Sequence, residues 1–172
     1  MQTNAGVVNL RSMNDDDLPE ILQIEQECFP DDWFEEWEFW AHMQQSNQFA
    51  LLCQLDGVVA GFILYSRLWN EVYIDQIAVA KSARGHGLGE AMLRYAISQL
   101  PKLGRSQIGL HVRSDNQAQR LYSKVGFVSQ EQSGRFYDDG TEAIEMNYRS
   151  TPLPRDADAA PIRLNLVGAR RR

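Results

Sequence analysis

Arg84-Gly85-His86-Gly87-Leu88-Gly89 sets three glycines behind an arginine, directly after the apolar run Ile77-Ala78-Val79 and directly before an amphipathic stretch. Glycines let a backbone turn its N–H groups toward a ligand without Cβ obstruction. A helix starting there adds unpaired amides and the positive end of its dipole. The chemistry of such a cradle is anion binding, and it implies a phosphate-bearing cofactor. A dinucleotide fingerprint needs G-x-G-x-x-G, but counted from Gly85 the third glycine arrives one residue early, at Gly89. A nucleotide P-loop needs Lys-Ser or Lys-Thr after the last glycine, and neither is present. What remains is R-x-x-G-x-G, a string that by itself also suits a tight strand-to-helix turn that binds nothing.

Further along come Leu110-His111-Val112-Arg113-Ser114-Asp115-Asn116, then Ala118, Leu121-Tyr122 and Val125-Gly126-Phe127. Phe29-Pro30 follows the first helical stretch, and Phe136-Tyr137-Asp138-Asp139-Gly140 precedes the last strand. Together with the glycine string these resemble the GNAT superfamily of acyl-CoA-dependent N-acetyltransferases over residues 8 to 149. Within it they are most similar to the protein N-terminal acetyltransferases, including the RimI-like enzymes that modify ribosomal proteins. The resemblance implies an α/β (α+β) fold with a mixed, mostly antiparallel central sheet flanked by helices, in which a splayed strand pair binds acetyl-CoA. Arg84, Gly85, His86, Gly87, Leu88 and Gly89 would hold the pyrophosphate. Backbone around Ile77, Ala78 and Val79 would pair with the pantetheine arm as an added strand does, the side chains of Ile77 and Val79 being core. Asn116 would contact that arm or cap the following helix.

The same resemblance assigns the chemistry. Tyr122 matches the tyrosine that protonates the departing thiolate. His111 stands where RimI-like enzymes carry a glutamate base; some eukaryotic-type N-terminal acetyltransferases carry histidine there, paired with a tyrosine on the neighbouring strand, and Tyr73 is at the corresponding place. His111, directly or through water, would be the base, with Tyr73 orienting it or the amine. Phe29, Pro30, Phe136 and Tyr137 would touch the acceptor. Neither Cys28 nor Cys53 matches a catalytic position, which favours direct attack in a ternary complex over an acyl-enzyme.

The acceptor's protonation limits what a histidine can do. At pH 7 an α-amine of pKa about 7.7 to 8.0 costs about 1 kcal/mol to neutralise, and a lysine at about 10.4 costs about 4.6 kcal/mol. A histidine near pKa 6.5 suits the first task and not the second. The expected acceptor is therefore the N-terminus of a protein or peptide. A lysine side chain or small amine, and a non-catalytic acyl-CoA-binding module, are the competing readings.

Periodicity supplies the elements that must position these groups. Asp15-Asp16-Asp17 offers caps for a helix with Leu18, Ile21, Leu22 and Glu25 at helical spacing. A second helix is expected from Asp31-Asp32, with Trp33, Trp37 and Trp40 on one face: either a wall of the peptide site or a buried aromatic side opposite a solvated acidic one. Strands are expected over 48–55 and 58–66 around the hairpin signal Asp56-Gly57, and over 72–80 with Tyr73, Asp75, Ile77 and Val79 on one face. A helix from Leu88 ends before Pro101 and Gly104; strand 107–113 alternates Ile108, Leu110, Val112 against Gly109, His111, Arg113. A helix over 116–125 with Gly126 at its end, and strands near 127–132 and 142–149, complete the sheet.

The chain has 172 residues, 44% hydrophobic and 23% charged, ordinary for one globular domain, expected over 1–149. Net charge is −6, but residues 151–172 hold five arginines against two aspartates, so that tail is +3 and the remainder −9. An acidic body argues against nucleic acid as the partner and suits a cationic substrate. Residues 150–172 are expected to be a disordered basic tail. Two cysteines have neither the number nor the spacing of a disulfide framework or zinc site, and no metal is expected. No membrane span or leader pattern is visible, so the expected location is cytoplasmic.

Overall fold

The computed structural model describes residues 6–30, 33–130 and 134–150. Asp31, Asp32 and the basic tail beyond Ser150 lie outside the described residues, so the expectations placed on them are not addressed. Strands β1 (Val8–Ser12), β2 (Gln48–Leu55), β3 (Val58–Arg67), β4 (Val72–Val79), β5 (Gln107–Arg113), β6 (Val128–Ser129), β7 (Arg135–Phe136) and β8 (Glu142–Arg149) form one sheet. Its order is β1-β2-β3-β4-β5-β8-β6, with β7 also paired to β8. Every neighbouring pair is antiparallel except β4–β5. This is the mixed, mostly antiparallel sheet expected from the sequence.

Local chemistry explains the main elements. Asp56 and Gly57 both take positive φ (52° and 83°), the backbone a two-residue hairpin turn requires. Helix α1 (Leu18–Cys28) follows a short turn in which the Asn14 side chain accepts from Asp16 N and Asp17 accepts from Asn14 N. Asp17 also receives both arms of Arg11 (2.7 and 2.5 Å), which locks the helix entry to β1. Leu18, Ile21 and Ile24 of α1 are buried.

Helix α2 begins at Glu36, not near 31, and runs to Gln44. Its buried side is Phe39 and His42, whereas Trp37 and Trp40 are 63% and 51% exposed. Of the two readings of the aromatic side, the buried one therefore does not hold: Trp37 and Trp40 face out. Phe39 meets the Phe62 ring of β3 edge-on, at 5.3 Å between centroids, and fills the space the tryptophans would have taken. Helix α3 (Leu88–Gln99) crosses from β4 to β5 and packs on β3, β4 and helix α4 (Gln119–Val125). Helix α4 starts three residues later than expected, after a turn closed by Asn116 Oδ1 accepting from Ala118 N at 2.8 Å. Gly126 ends it at φ 110°, as expected.

Two irregularities in β4 shape the site. Opposite the adjacent residues Leu64 and Tyr65 of β3 stand Gln76 and Ile74, so Asp75 is the extra residue of a bulge. The bulge flips the alternation. Tyr73 and Gln76 share the face of Ser66 and Leu64, and Ile77 and Val79 turn to the other face, against the single-face expectation for 73, 75, 77 and 79. The second irregularity is that β4 and β5 pair only at Val72–Ile108 and Tyr73–Gly109, then part. No helix of the described residues is long and apolar enough to cross a membrane.

Candidate active site

The parting of β4 from β5 leaves backbone facing an open slot. Ala80 N donates to Ala60 O (2.9 Å), so by the two-residue alternation of an antiparallel ladder the backbone groups of Ile77 and Val79 point away from β3, into that slot. Ala78 is the exception among the three: its backbone faces β3 and its side chain is buried. At the end of the slot, Gly85 and Gly87 hold φ of 84° and 76°, with nothing within 4 Å of where a Cβ would be. Both are exposed, as are Arg84 and His86. The first helical bond of α3 is Ala91 N to Gly87 O (3.0 Å), leaving the amides of Leu88, Gly89 and Glu90 ahead of it without intrahelical acceptors.

Gly89 serves a different purpose from its neighbours. A Cβ there would lie 2.9 Å from the Leu121 side chain, so this glycine permits α3 and α4 to pack closely rather than turning an amide outward. Arg84 bends back, donating to Val79 O (3.2 Å) and approaching Cys28 Sγ (3.5 Å). Two left-handed glycines, open space above them, a helix start and a split strand pair fit a pyrophosphate followed by an extended amide-bearing arm.

Tyr73 and His111 come together on the α1 and α2 face of the sheet. The Tyr73 hydroxyl hydrogen-bonds His111 Nδ1, and His111 Nε2 is buried with no hydrogen-bond partner among the described residues. Burial, then the charge of Arg135, pulls the imidazole below its ordinary value, against opposite pulls from Glu145 and Glu71. His111 is thus neutral at pH 7. Burial pushes the Tyr73 phenol up to about 12, so it keeps its proton. Tyr122, on α4, is buried, its ring edge-on to Phe127, and its phenol is likewise pushed up to about 12. Tyr137 connects the two: its phenol lies close enough to raise both Tyr73 and Tyr122 electrostatically.

The other expected acceptor residues are less convergent. Phe29 ends α1 and packs partly against the core; Pro30 and Phe136 are exposed. Asn116 spends its side-chain oxygen on the α4 turn, the capping alternative of its two readings.

Sequence reasoning missed Glu25. It is 0% exposed, and its Oε1 accepts from Phe34 N (2.8 Å) and Gln76 Nε2 (2.5 Å), tying the α1–α2 segment to the strand beyond the bulge. The signal was present, since Glu25 is a carboxylate on an otherwise apolar helical stripe. Asp75, which accepts from Ser66 Oγ at 2.6 Å, was visible as a residue but not as a bulge. Arg113 was read only as one alternating strand position. Glu71 and Glu145 act electrostatically on His111, opposed by Arg135, which acts on Tyr73 as well.

The sequence profile of the acetyltransferase (GNAT) family matches residues 13–127, two thirds of the chain. The chain belongs to the acetyltransferase (GNAT) family. It is an acyltransferase, and its cosubstrate is acetyl-CoA. An uncharacterized N-acetyltransferase of Methanocaldococcus jannaschii is 31% identical to this acetyltransferase over 141 residues, covering 80% of this chain and 88% of the other. The ribosomal protein bS18-alanine N-acetyltransferase of Escherichia coli K12 is 30% identical over 119 residues, 69% of this chain and 79% of its own. The crystal structure of the Escherichia coli ribosomal-protein-S18-alanine N-acetyltransferase superposes with a TM-score of 0.73 at 26% identity, covering 88% of this chain and 99% of that one. A Salmonella typhimurium acetyltransferase structure solved with acetyl-CoA shares the fold, with a TM-score of 0.70 at 19% identity over 87% and 98% of the two chains.

Proposed function

We propose that this acetyltransferase acetylates the N-terminal α-amine of a protein or peptide, by direct attack with both substrates bound. The observation that carries this reading is the Tyr73–His111 pair: a neutral imidazole, hydrogen-bonded to a protonated phenol, with Glu71, Glu145 and Arg135 near enough to act on the imidazole electrostatically. Carboxylates attract a cationic amine, and the pair removes its proton. Because Nε2 is buried and Nδ1 faces the Tyr73 hydroxyl, the proton reaches the imidazole through that hydroxyl. Tyr73 Oη accepts from the amine as its own proton passes to Nδ1. Acetyl-CoA would supply the acetyl group: the amine nitrogen bonds the carbonyl carbon, the C–S bond breaks, and coenzyme A departs as a thiolate. Tyr122 holds a proton at Oη for it, and the amides of Leu88 to Glu90 with the cradle glycines would hold the diphosphate. Relatives named as alanine N-acetyltransferases of a ribosomal protein support a protein N-terminus as acceptor.

Acetyl-CoA consumption on a free-N-terminus peptide and on the same peptide N-blocked but carrying a lysine tests the reading. The α-amine should be strongly preferred, since lysine asks about 3.6 kcal/mol more for deprotonation. A preference for the N-blocked lysine peptide or a polyamine would replace this reading with a lysine or small-amine enzyme.

A further inference from the structure

Arg113 ends β5, two residues beyond His111, and its guanidinium is shared between two turns. On one side Nε and Nη2 donate to Asp115 Oδ1 and Oδ2, each at 3.0 Å, in the turn that carries Asn116 and leads into α4 and Tyr122. On the other, Nη2 reaches Asp139 Oδ2 at 2.8 Å and Thr141 Oγ1 at 2.9 Å, in the turn between β7 and β8. The guanidinium carbon also lies 5.2 Å from the centre of the Tyr137 ring, within cation–π range. The β7–β8 turn is itself closed by Tyr137 N to Thr141 O and Gly140 N to Tyr137 O, both 2.8 Å, so gripping Asp139 and Thr141 fixes Tyr137.

We infer that Arg113 is a positioning residue that fixes Tyr137, one of the residues expected to touch the acceptor, and, through Asp115, couples acceptor binding to the acetyl-CoA side. The inference rests on the acetyl-transfer reading above, not on which amine is the acceptor. Stability alone does not account for the cluster. Its side chains are 35%, 62% and 54% exposed at Arg113, Asp115 and Asp139, and exposed ion pairs contribute little to folding. Geometry is what a planar fork with five donors supplies and a lysine does not. The grip also persists across any assay pH, because Arg113 and Thr141 hold the Asp139 carboxyl down to about 2.

The test uses the full chain with acetyl-CoA and whichever peptide it turns over fastest, so that failure of the N-terminal reading changes the peptide and not the measurement. Arg113→Met should raise acceptor KM roughly tenfold, with kcat within about threefold and the Kd for acetyl-CoA alone unchanged. Asp139→Asn should reproduce the KM rise, and Arg113→Lys should fall between the variant and the wild type. Coupling is read as the ratio of coenzyme A affinities with and without the acetylated peptide product; Asp115→Asn should lower that ratio while leaving the Kd for peptide without coenzyme A near wild type. An unchanged acceptor KM in Arg113→Met overturns the inference. So does a fall in Tm with a matching loss of acetyl-CoA affinity, which would make Arg113 a structural residue only.

Discussion

At the turn between β4 and α3, the groups facing the slot are peptide amides of Leu88 to Glu90 and the left-handed glycines 85 and 87. Across the sheet, at Tyr73 and His111, they are side chains drawn from β4, β5 and, through Tyr137, the β7–β8 turn. If both regions bind as proposed, they should respond to mutation in opposite ways. A site made of backbone is damaged by adding atoms, and a site made of side chains by removing them. On the function proposed above, the difference also separates affinity from chemistry: the amides would hold a ligand whose charge does not change, whereas Tyr73, His111 and Tyr122 would handle protons.

Addition to the backbone region should have the largest effect. Gly87→Glu introduces a side chain and a negative charge at a position held at φ 76°, and should abolish the rise in Tm that acetyl-CoA produces. Thermal shift against coenzyme A concentration measures this; wild-type-like binding would break the contrast between the regions. Removal from the side-chain region should spare binding. Tyr122→Phe should lower kcat by about 10² to 10⁴ with the Kd for acetyl-CoA nearly unchanged, since that is the usual contribution of a positioned general acid. Parallel titration calorimetry and steady-state rates separate the two outcomes, and an unaltered kcat would return Tyr122 to a packing role.

The smallest effect is expected at the proton relay, and it depends on pH. Tyr73→Phe and His111→Ala should each slow turnover at pH 7 by about 10- to 100-fold, and the double variant should be no slower than either single one, because both cut one path. The imidazole's folded value is below its ordinary 6.5, so it is already a base at pH 7. A rise of kcat/KM above pH 7 then belongs to the acceptor amine near pKa about 8, and the limb for His111 in kcat should lie below pH 6.5. Both variants should recover partly at high pH, where the amine needs no help. Additive losses, or a kcat limb above 6.5, would show that the two side chains act separately.

The same contrast explains what could be read from the sequence. The glycine string, the hairpin at Asp56-Gly57 and the strand 107–113 were legible because each is set by neighbours in the chain: positive φ favours glycine, and alternation shows which residues share a face. Tyr73 and His111 could be matched only through the family resemblance, since 38 residues separate them and no local pattern records that a parallel pair of β4 and β5 brings them together. Glu25 was misread as part of an apolar stripe because its partners, Phe34 N and Gln76, come from a later loop and a distant strand. The direction of the α2 tryptophans stayed open between a wall of the peptide site and a buried side, because period alone gives a face and not its direction. Phe39 won the core because it meets Phe62 across the interface.

Sequence by itself determined the order and type of most elements, though not the strands β1 and β7, together with the glycine-rich turn and the residue types available for acid and base work, all consequences of local backbone preference and side-chain pKa. Tertiary structure decided the rest. The bulge at Asp75 flipped β4 and turned Gln76 instead of Ile77 toward α1, because one unpaired residue reverses every later side chain in a strand. The parting of β4 from β5 opened the slot, since a strand that loses its neighbour keeps its hydrogen-bonding edge. Arg113 reached two turns at once because β5, α4 and β8 converge at its end. Such convergence depends on which distant segments pack together, and chain spacing alone does not encode it.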